Sequence, residues 1–282
     1  MTNIYTAPVY KLKELNNLFI ELTAKNCNQK CKSCYIDFGN SNSLSGINKT
    51  VKDFISIEQI KETLFDLKKE NLHCIYLTGA EPMLHPDFNS ILRFCLKHHN
   101  VCICTNGSFL NEKKIRFLNK VESESSNQIF FKLTLTHYNE LENDKSRFRG
   151  NFRQTIFALK TLSRYNFNSV LTIQNYYKLD YSLITEMFHN LFKEQEISNV
   201  DVQIITSHPE FEEDNFCKPS DKTDCMYGRC LSINGVYSCP FLSNDYRGRS
   251  GSSFQNFSKN ITAETDFCAT CSMNNNFMFT IG

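Results

Sequence analysis

Short apolar runs recur along the chain, separated by segments whose apolar positions follow helical spacing. Residues 17–23, Asn-Leu-Phe-Ile-Glu-Leu-Thr, read as a first buried strand. Ser56-Ile-Glu-Gln59 has the form of a capping box, and Ile57, Ile60, Leu64 and Leu67 follow it along one helical face. The alternation then repeats. Strands are predicted at 74–77, 101–104, 129–135, 170–173 and 200–205, with helices at 88–97, 112–119, 152–164 and 183–192. Such alternation predicts an α/β fold with a parallel sheet and right-handed crossovers, closed or nearly closed. Six units rather than eight predict a partial (β/α)6 TIM-like barrel, with the chemistry at one rim of strand ends.

Departures from this pattern divide the chain. Residues 1–16 form an N-terminal extension and 17–206 the barrel. From Asp37 to Phe54 runs a long polar loop rich in Asn, Ser and Gly. Beyond Ser207, Pro209, Pro219 and the acidic run Glu212 to Asp214 suggest a linker over 207–224. The remainder, 225–282, is poor in apolar residues and needs a staple, so it reads as a small C-terminal cysteine-rich domain held by metal. His85, His98 and His99 flank a predicted helix and read as surface residues.

Composition narrows the possible partners. A formal charge of +1 over 282 residues leaves no basic footprint for nucleic acid, and Lys145 to Arg153 reads as a solvated loop. No 18-residue apolar window and no signal-peptide pattern occur, so a cytoplasmic location without membrane contact is expected. In that reducing setting, 13 cysteines point to metal or catalysis rather than disulfides. Cys74, Cys95, Cys102 and Cys104 fall within apolar patterns and read as small core residues.

Cys27, Cys31 and Cys34 are different: they stand at C-x3-C-x2-C spacing directly after the first strand. Three thiolates on a short loop can hold three irons of a 4Fe-4S cube and leave the fourth iron open. A zinc knuckle would need a fourth ligand, for which His73 and Cys74 come next along the chain. One βα unit later, the second strand ends in Gly79-Ala80-Glu81-Pro82, whose carbonyls and carboxylate could receive a cationic amino group.

Together these motifs resemble the radical S-adenosylmethionine (radical SAM) enzymes over residues 17–206. The resemblance implies a 4Fe-4S cluster on Cys27, Cys31 and Cys34. It also implies that the turn Gly79, Ala80, Glu81 and Pro82 binds the methionine amino group of S-adenosylmethionine. Thr105-Asn106-Gly107 is similar to the family's TNG segment, and Thr134 keeps a hydroxyl where the family often has a serine. Arg149 or Arg153 is the candidate for the methionine carboxylate, and Asn175 ends a strand near the expected adenosine. Ser33 replaces the usual aromatic residue before the third cysteine, with Tyr35 as a substitute, and Ala80 replaces a glycine.

In the tail, Cys225, Gly235, Cys239, Cys268 and Cys271 are similar to the twitch form of the SPASM domain, which carries an auxiliary 4Fe-4S cluster. Cys230 or Cys217 could take the place of Cys225, and a four-thiolate zinc site would use the same residues. The resemblance implies an oxidoreductase that cleaves S-adenosylmethionine to a 5'-deoxyadenosyl radical and abstracts hydrogen from a peptide or small-molecule substrate. A flavodoxin or ferredoxin would supply the electron. The alternative is a zinc-stabilised barrel-scaffold binding protein without radical chemistry. The sequence identifies no general base.

Overall fold

The computed structural model describes residues 9–11, 15–32, 34, 53–206, 229–243, 248–258 and 260–262. Tyr35, Ser33, most of the loop from Asp37, and the tail thiols Cys217, Cys225, Cys268 and Cys271 lie outside the described residues.

After a short strand β1 (Val9–Lys11), the chain alternates as the apolar pattern predicts. Strands β2 (Asn17–Thr23), β3 (Cys74–Gly79), β4 (Asn100–Cys104), β5 (Ile129–Leu135), β6 (Asn168–Asn175) and β7 (Val200–Thr206) pair in parallel, each with the next. Between them run α1 (Ile57–Asp66), α2 (Phe88–Leu96), α3 (Glu112–Ser123), α4 (Glu140–Ser146), α5 (Asn151–Arg164) and α6 (Tyr181–Gln195). The short polar helix α4 has no apolar periodicity to announce it. Caps start the helices where their residues stand: Ser56 Oγ accepts from Gln59 N at 3.2 Å, Asn111 caps α3 and Asp180 caps α6.

Period-two alternation along each strand produces two apolar layers. One face, with Leu18, Ile20, Leu22, Ile75, Leu77, Ile103, Phe131, Leu133 and Leu171, packs with the helices into the main core. The other gathers Phe19, Cys74, Tyr76, Cys102, Ile205, Cys230 and Tyr237 into a second cluster, in which Phe19 stacks on Tyr76 at 4.6 Å. Burial pushes the Cys74 and Cys95 thiols up to about 12, as expected of core residues.

The tail joins this sheet. Strand β8 (Arg229–Ser232) runs parallel to β2, followed by antiparallel β9 (Gly235–Tyr237) and β10 (Arg249–Gly251). The order is β10-β9-β8-β2-β3-β4-β5-β6-β7. The barrel is therefore not closed: β8 occupies the edge of β2 that closure would give to β7. A separate pair joins β1 to β11 (Asn260–Thr262), so chain segments near both ends meet.

His85 departs from the surface reading. It is buried, donating from Nε2 to Ile55 O at 2.8 Å and accepting Asp87 N at Nδ1, and so ties the loop before α1 to the turn before α2. No described helix is long and apolar enough to cross a membrane.

Gly79 closes β3 with φ +120°, and a Cβ there would lie 2.4 Å from Thr23 O. Gly79→Ala should therefore lower stability by more than the ~1–3 kcal/mol of backbone strain alone. Gly150, at φ +83° with open space around it, should tolerate alanine at the cost of conformation only, about 1 kcal/mol. Urea unfolding of both variants checks the contrast; equal losses would contradict it.

Candidate active site

The cysteine loop leaves β2 at the carboxyl end of the sheet and is stitched to the next two loops. Thr23 Oγ1 accepts Asn26 N at 3.1 Å and turns the chain as the strand ends. The backbone then clamps the following turn: Ala80 N donates to Thr23 O at 2.8 Å and Glu81 N to Asn26 O at 3.0 Å.

Glu81 itself faces inward and is fully buried. Its carboxylate accepts from Met83 N at 3.1 Å, Thr105 Oγ1 at 2.8 Å and Asn106 N at 2.9 Å. Burial outweighs these donors and pushes the acid up to about 7. The carboxylate is thus engaged within the protein. Asn106 completes the circuit. Its Nδ2 lies 2.9 Å from Asn28 Oδ1 and 3.7 Å from Cys27 Sγ, while its Oδ1 holds Ser108 N at 2.9 Å.

The sequence reading missed Gln29. It is buried, donates to Gln154 Oε1 at 2.8 Å, accepts from Asn151 Nδ2 at 3.1 Å, and gives its backbone N–H to Cys27 Sγ at 3.4 Å. A glutamine between two cysteines was the available signal; its partners, more than a hundred residues away, were not. Cys27 and Cys31 are half-buried and Cys34 is exposed, and none of the three is in a disulfide. Three unbridged thiols on one loop, with N–H groups directed at the first, suit the anionic sulfurs of an iron–sulfur cluster. Among the described residues, no three His, Cys, Asp or Glu side chains are grouped to hold a single metal ion.

Other candidates are placed variously. Thr134, half-exposed on β5, stands beside Thr172 on β6. Asn175 is occupied as a loop clamp, with Oδ1 accepting Leu179 N at 2.9 Å and Nδ2 donating to Leu179 O at 2.8 Å. Arg149 is exposed, and Arg153 is ion-paired with Glu140 at 2.7 Å. Cys239 is half-buried at the start of a 3₁₀ turn over Pro240–Leu242, and Cys230 is fully buried on β8. Near them, Glu21 of β2 is buried and accepts from Ser243 Oγ at 2.9 Å, and burial raises its pKa.

The Radical SAM superfamily model matches residues 22–189, more than half of the chain. The chain belongs to the radical SAM superfamily. It is 32% identical over 145 residues to the antilisterial bacteriocin subtilosin biosynthesis protein AlbA of Bacillus subtilis (strain 168), covering 51% of this chain and 29% of AlbA. It is 26% identical over 162 residues to the mycofactocin maturase MftC of Mycolicibacterium smegmatis, covering 55% of this chain and 37% of MftC. The matches thus span well under half of either relative's length. The crystal structure of Streptococcus suis SuiB bound to S-adenosylmethionine superposes with a TM-score of 0.57 at 14% identity, over 82% of this chain and 61% of SuiB. At that identity the likeness concerns the α/β fold.

Glu81→Gln tests the loop network. An amide nitrogen would face a backbone N–H that now donates to carboxylate, costing about 1–3 kcal/mol. The sign with pH follows from the raised acid: the proton stabilises the fold below about 4.5, and that contribution is lost as pH rises through about 7. Urea unfolding should show a wild-type advantage that is larger at pH 5 than at pH 8. An advantage growing with pH would contradict the assignment.

Proposed function

We propose that the protein binds a 4Fe-4S cluster through Cys27, Cys31 and Cys34, binds S-adenosylmethionine beside it, and uses the resulting radical chemistry to modify a peptide. What carries this reading is the linkage of Cys27 to the Gly79–Pro82 turn through Asn106 and Glu81, which holds a thiol loop and a backbone-presenting turn in one unit. When bound, the cluster and S-adenosylmethionine would supply an electron and a carbon radical able to take hydrogen from an unactivated C–H bond.

The chain's own part is positioning. The Ala80 and Glu81 segment offers backbone to the methionine amino group, Asn106 and Thr134 offer polar contacts at the next strand ends, and Asn175 shapes the loop nearest the adenosine. Arg149 is the candidate for the methionine carboxylate, being free of the ion pair that engages Arg153. N–H groups directed at Cys27 Sγ would tune the cluster's potential.

A peptide substrate is favoured over a small molecule by the relatives: AlbA takes part in bacteriocin biosynthesis, and SuiB has been crystallised with its precursor peptide SuiA. The open sheet is read as a partial barrel. The tail is read as a twitch-like unit with an auxiliary 4Fe-4S cluster on Cys225, Cys239, Cys268 and Cys271. Burial of Cys230 within the β2–β8 pairing argues for Cys225 rather than Cys230 as its first ligand. A flavodoxin or ferredoxin is the expected electron donor, and the cytoplasm the expected compartment.

The test is anaerobic reconstitution followed by iron and sulfide analysis and assay of 5'-deoxyadenosine with dithionite. About eight irons per chain are expected, and Cys31→Ala should lower 5'-deoxyadenosine formation at least about a hundredfold. About four irons with activity would leave the tail without an iron–sulfur cluster. Zinc alone, with no cleavage of S-adenosylmethionine, would establish the zinc-stabilised binding scaffold instead.

A further inference from the structure

One side chain of the cysteine loop is held by a row of amides whose direction is set on the far side of the site. The row begins just past the end of β5. Thr136 N can only donate, so the oxygen of Asn143 faces it, with Oδ1 accepting at 3.0 Å. Asn143 Nδ2 is thereby turned to two acceptors, Asp144 Oδ1 at 3.1 Å and Asn151 Oδ1 at 3.2 Å. Asn151 must then present its nitrogen to Gln29, donating to Oε1 at 3.1 Å, and Gln29 Nε2 is left to donate to Gln154 Oε1 at 2.8 Å. Asn143, Asn151 and Gln29 are all buried, so turning any one amide over would set like groups against each other with no water to relieve them.

The consequence falls on the loop. Gln29 Oε1, and not Nε2, lies 3.8 Å from Cys31 Sγ. The two half-buried sulfurs therefore meet opposite surroundings. Cys27 Sγ accepts from Gln29 N at 3.4 Å and from Asn106 Nδ2 at 3.7 Å, whereas Cys31 Sγ faces a carbonyl oxygen. A neutral thiol can donate its hydrogen to that oxygen. A thiolate has none to give and meets the negative end of the amide dipole.

We infer that Gln29 is a positioning residue that keeps a cluster bound on this loop strongly reducing, because the Thr136–Asn143–Asn151 row holds its side-chain carbonyl against the Cys31 sulfur. The inference rests on the cluster reading above. Hydrogen bonds to the sulfurs favour the electron-richer state of an iron–sulfur cluster, and a carbonyl oxygen at the same place acts in the opposite sense. One-electron reduction of a sulfonium calls for the low end of the range of cluster potentials. A side chain that withholds an N–H from one ligand serves that need, and its orientation is fixed by residues more than a hundred positions away.

The reduction potential tests this without substrate or turnover. The reconstituted protein is titrated anaerobically and followed by electron paramagnetic resonance; the signal of the loop cluster is the one that Cys31→Ala removes. In Gln29→Leu, which loses the carbonyl and keeps an apolar filler, reduction should become about tenfold more favourable, an upward shift of about 59 mV for a one-electron couple. Gln29→Glu keeps an oxygen for Asn151 and for Cys31 and adds charge, so its potential should equal the wild-type value or fall below it. Asn151→Ala frees the Gln29 amide to turn its nitrogen to the sulfur and should raise the potential as Gln29→Leu does. Loss of packing alone would move the leucine and glutamate variants the same way.

A potential of Gln29→Leu at or below wild type, or a rise in Gln29→Glu that matches it, would overturn the assignment. If Gln29→Leu takes up no cluster, Asn151→Ala decides by the same sign, and an unmoved potential there would also overturn it. Wild-type protein that incorporates no iron would instead remove the cluster reading on which the inference stands.

Discussion

A buried carboxylate organises the rim. Glu81 is fully buried, so its oxygens must be met by protein donors, and those donors come from two different loops. Meeting that demand fixes the Thr105–Asn106 segment against the turn after β3, while the backbone of the same turn is fixed against the cysteine loop. Three loops that leave three successive strands thereby become one rigid unit, and Asn106 closes the ring at Cys27. The physical cost is visible in the acid itself: burial wins over several hydrogen bonds and moves its proton affinity close to neutrality.

The other side of the site depends on how the sheet ends. Because β8 pairs with β2, tail residues are carried to the edge of the strand from which the cysteine loop emerges. Glu21, Ser243, Cys230 and Cys239 are brought into one neighbourhood by this pairing, and the second apolar cluster extends across it through Phe19 and Tyr237. The strand that carries the cysteine loop and the tail segments consequently share a sheet, joined by strand pairing, packing and the Ser243–Glu21 hydrogen bond.

The elements that were legible in the sequence are those in which local pattern and tertiary demand agree. Period-two strands such as Ile129–Leu135 and the Ser56 cap are examples. What was not legible depends on long-range meeting. The Gln29 contacts with Asn151 and Gln154 join residues far apart in sequence, and His85 looked like a surface histidine until the Ile55 carbonyl was found against its ring. Cys104 looked like its core neighbours Cys74 and Cys102, but it is half-buried where they are buried. The edge strand β8 is short, and nothing in Arg229–Ser232 announces parallel pairing with β2.

In the proposed function, the thiol loop and the Gly79–Pro82 turn together bring S-adenosylmethionine onto the iron of a cluster held by Cys27, Cys31 and Cys34. Electron–nuclear double resonance on the reduced, reconstituted protein with S-adenosylmethionine carrying 15N in its amino group tests this most directly. Hyperfine coupling between the cluster spin and the labelled nitrogen is expected. A cluster signal unchanged by S-adenosylmethionine, with no coupling to the label, would contradict it.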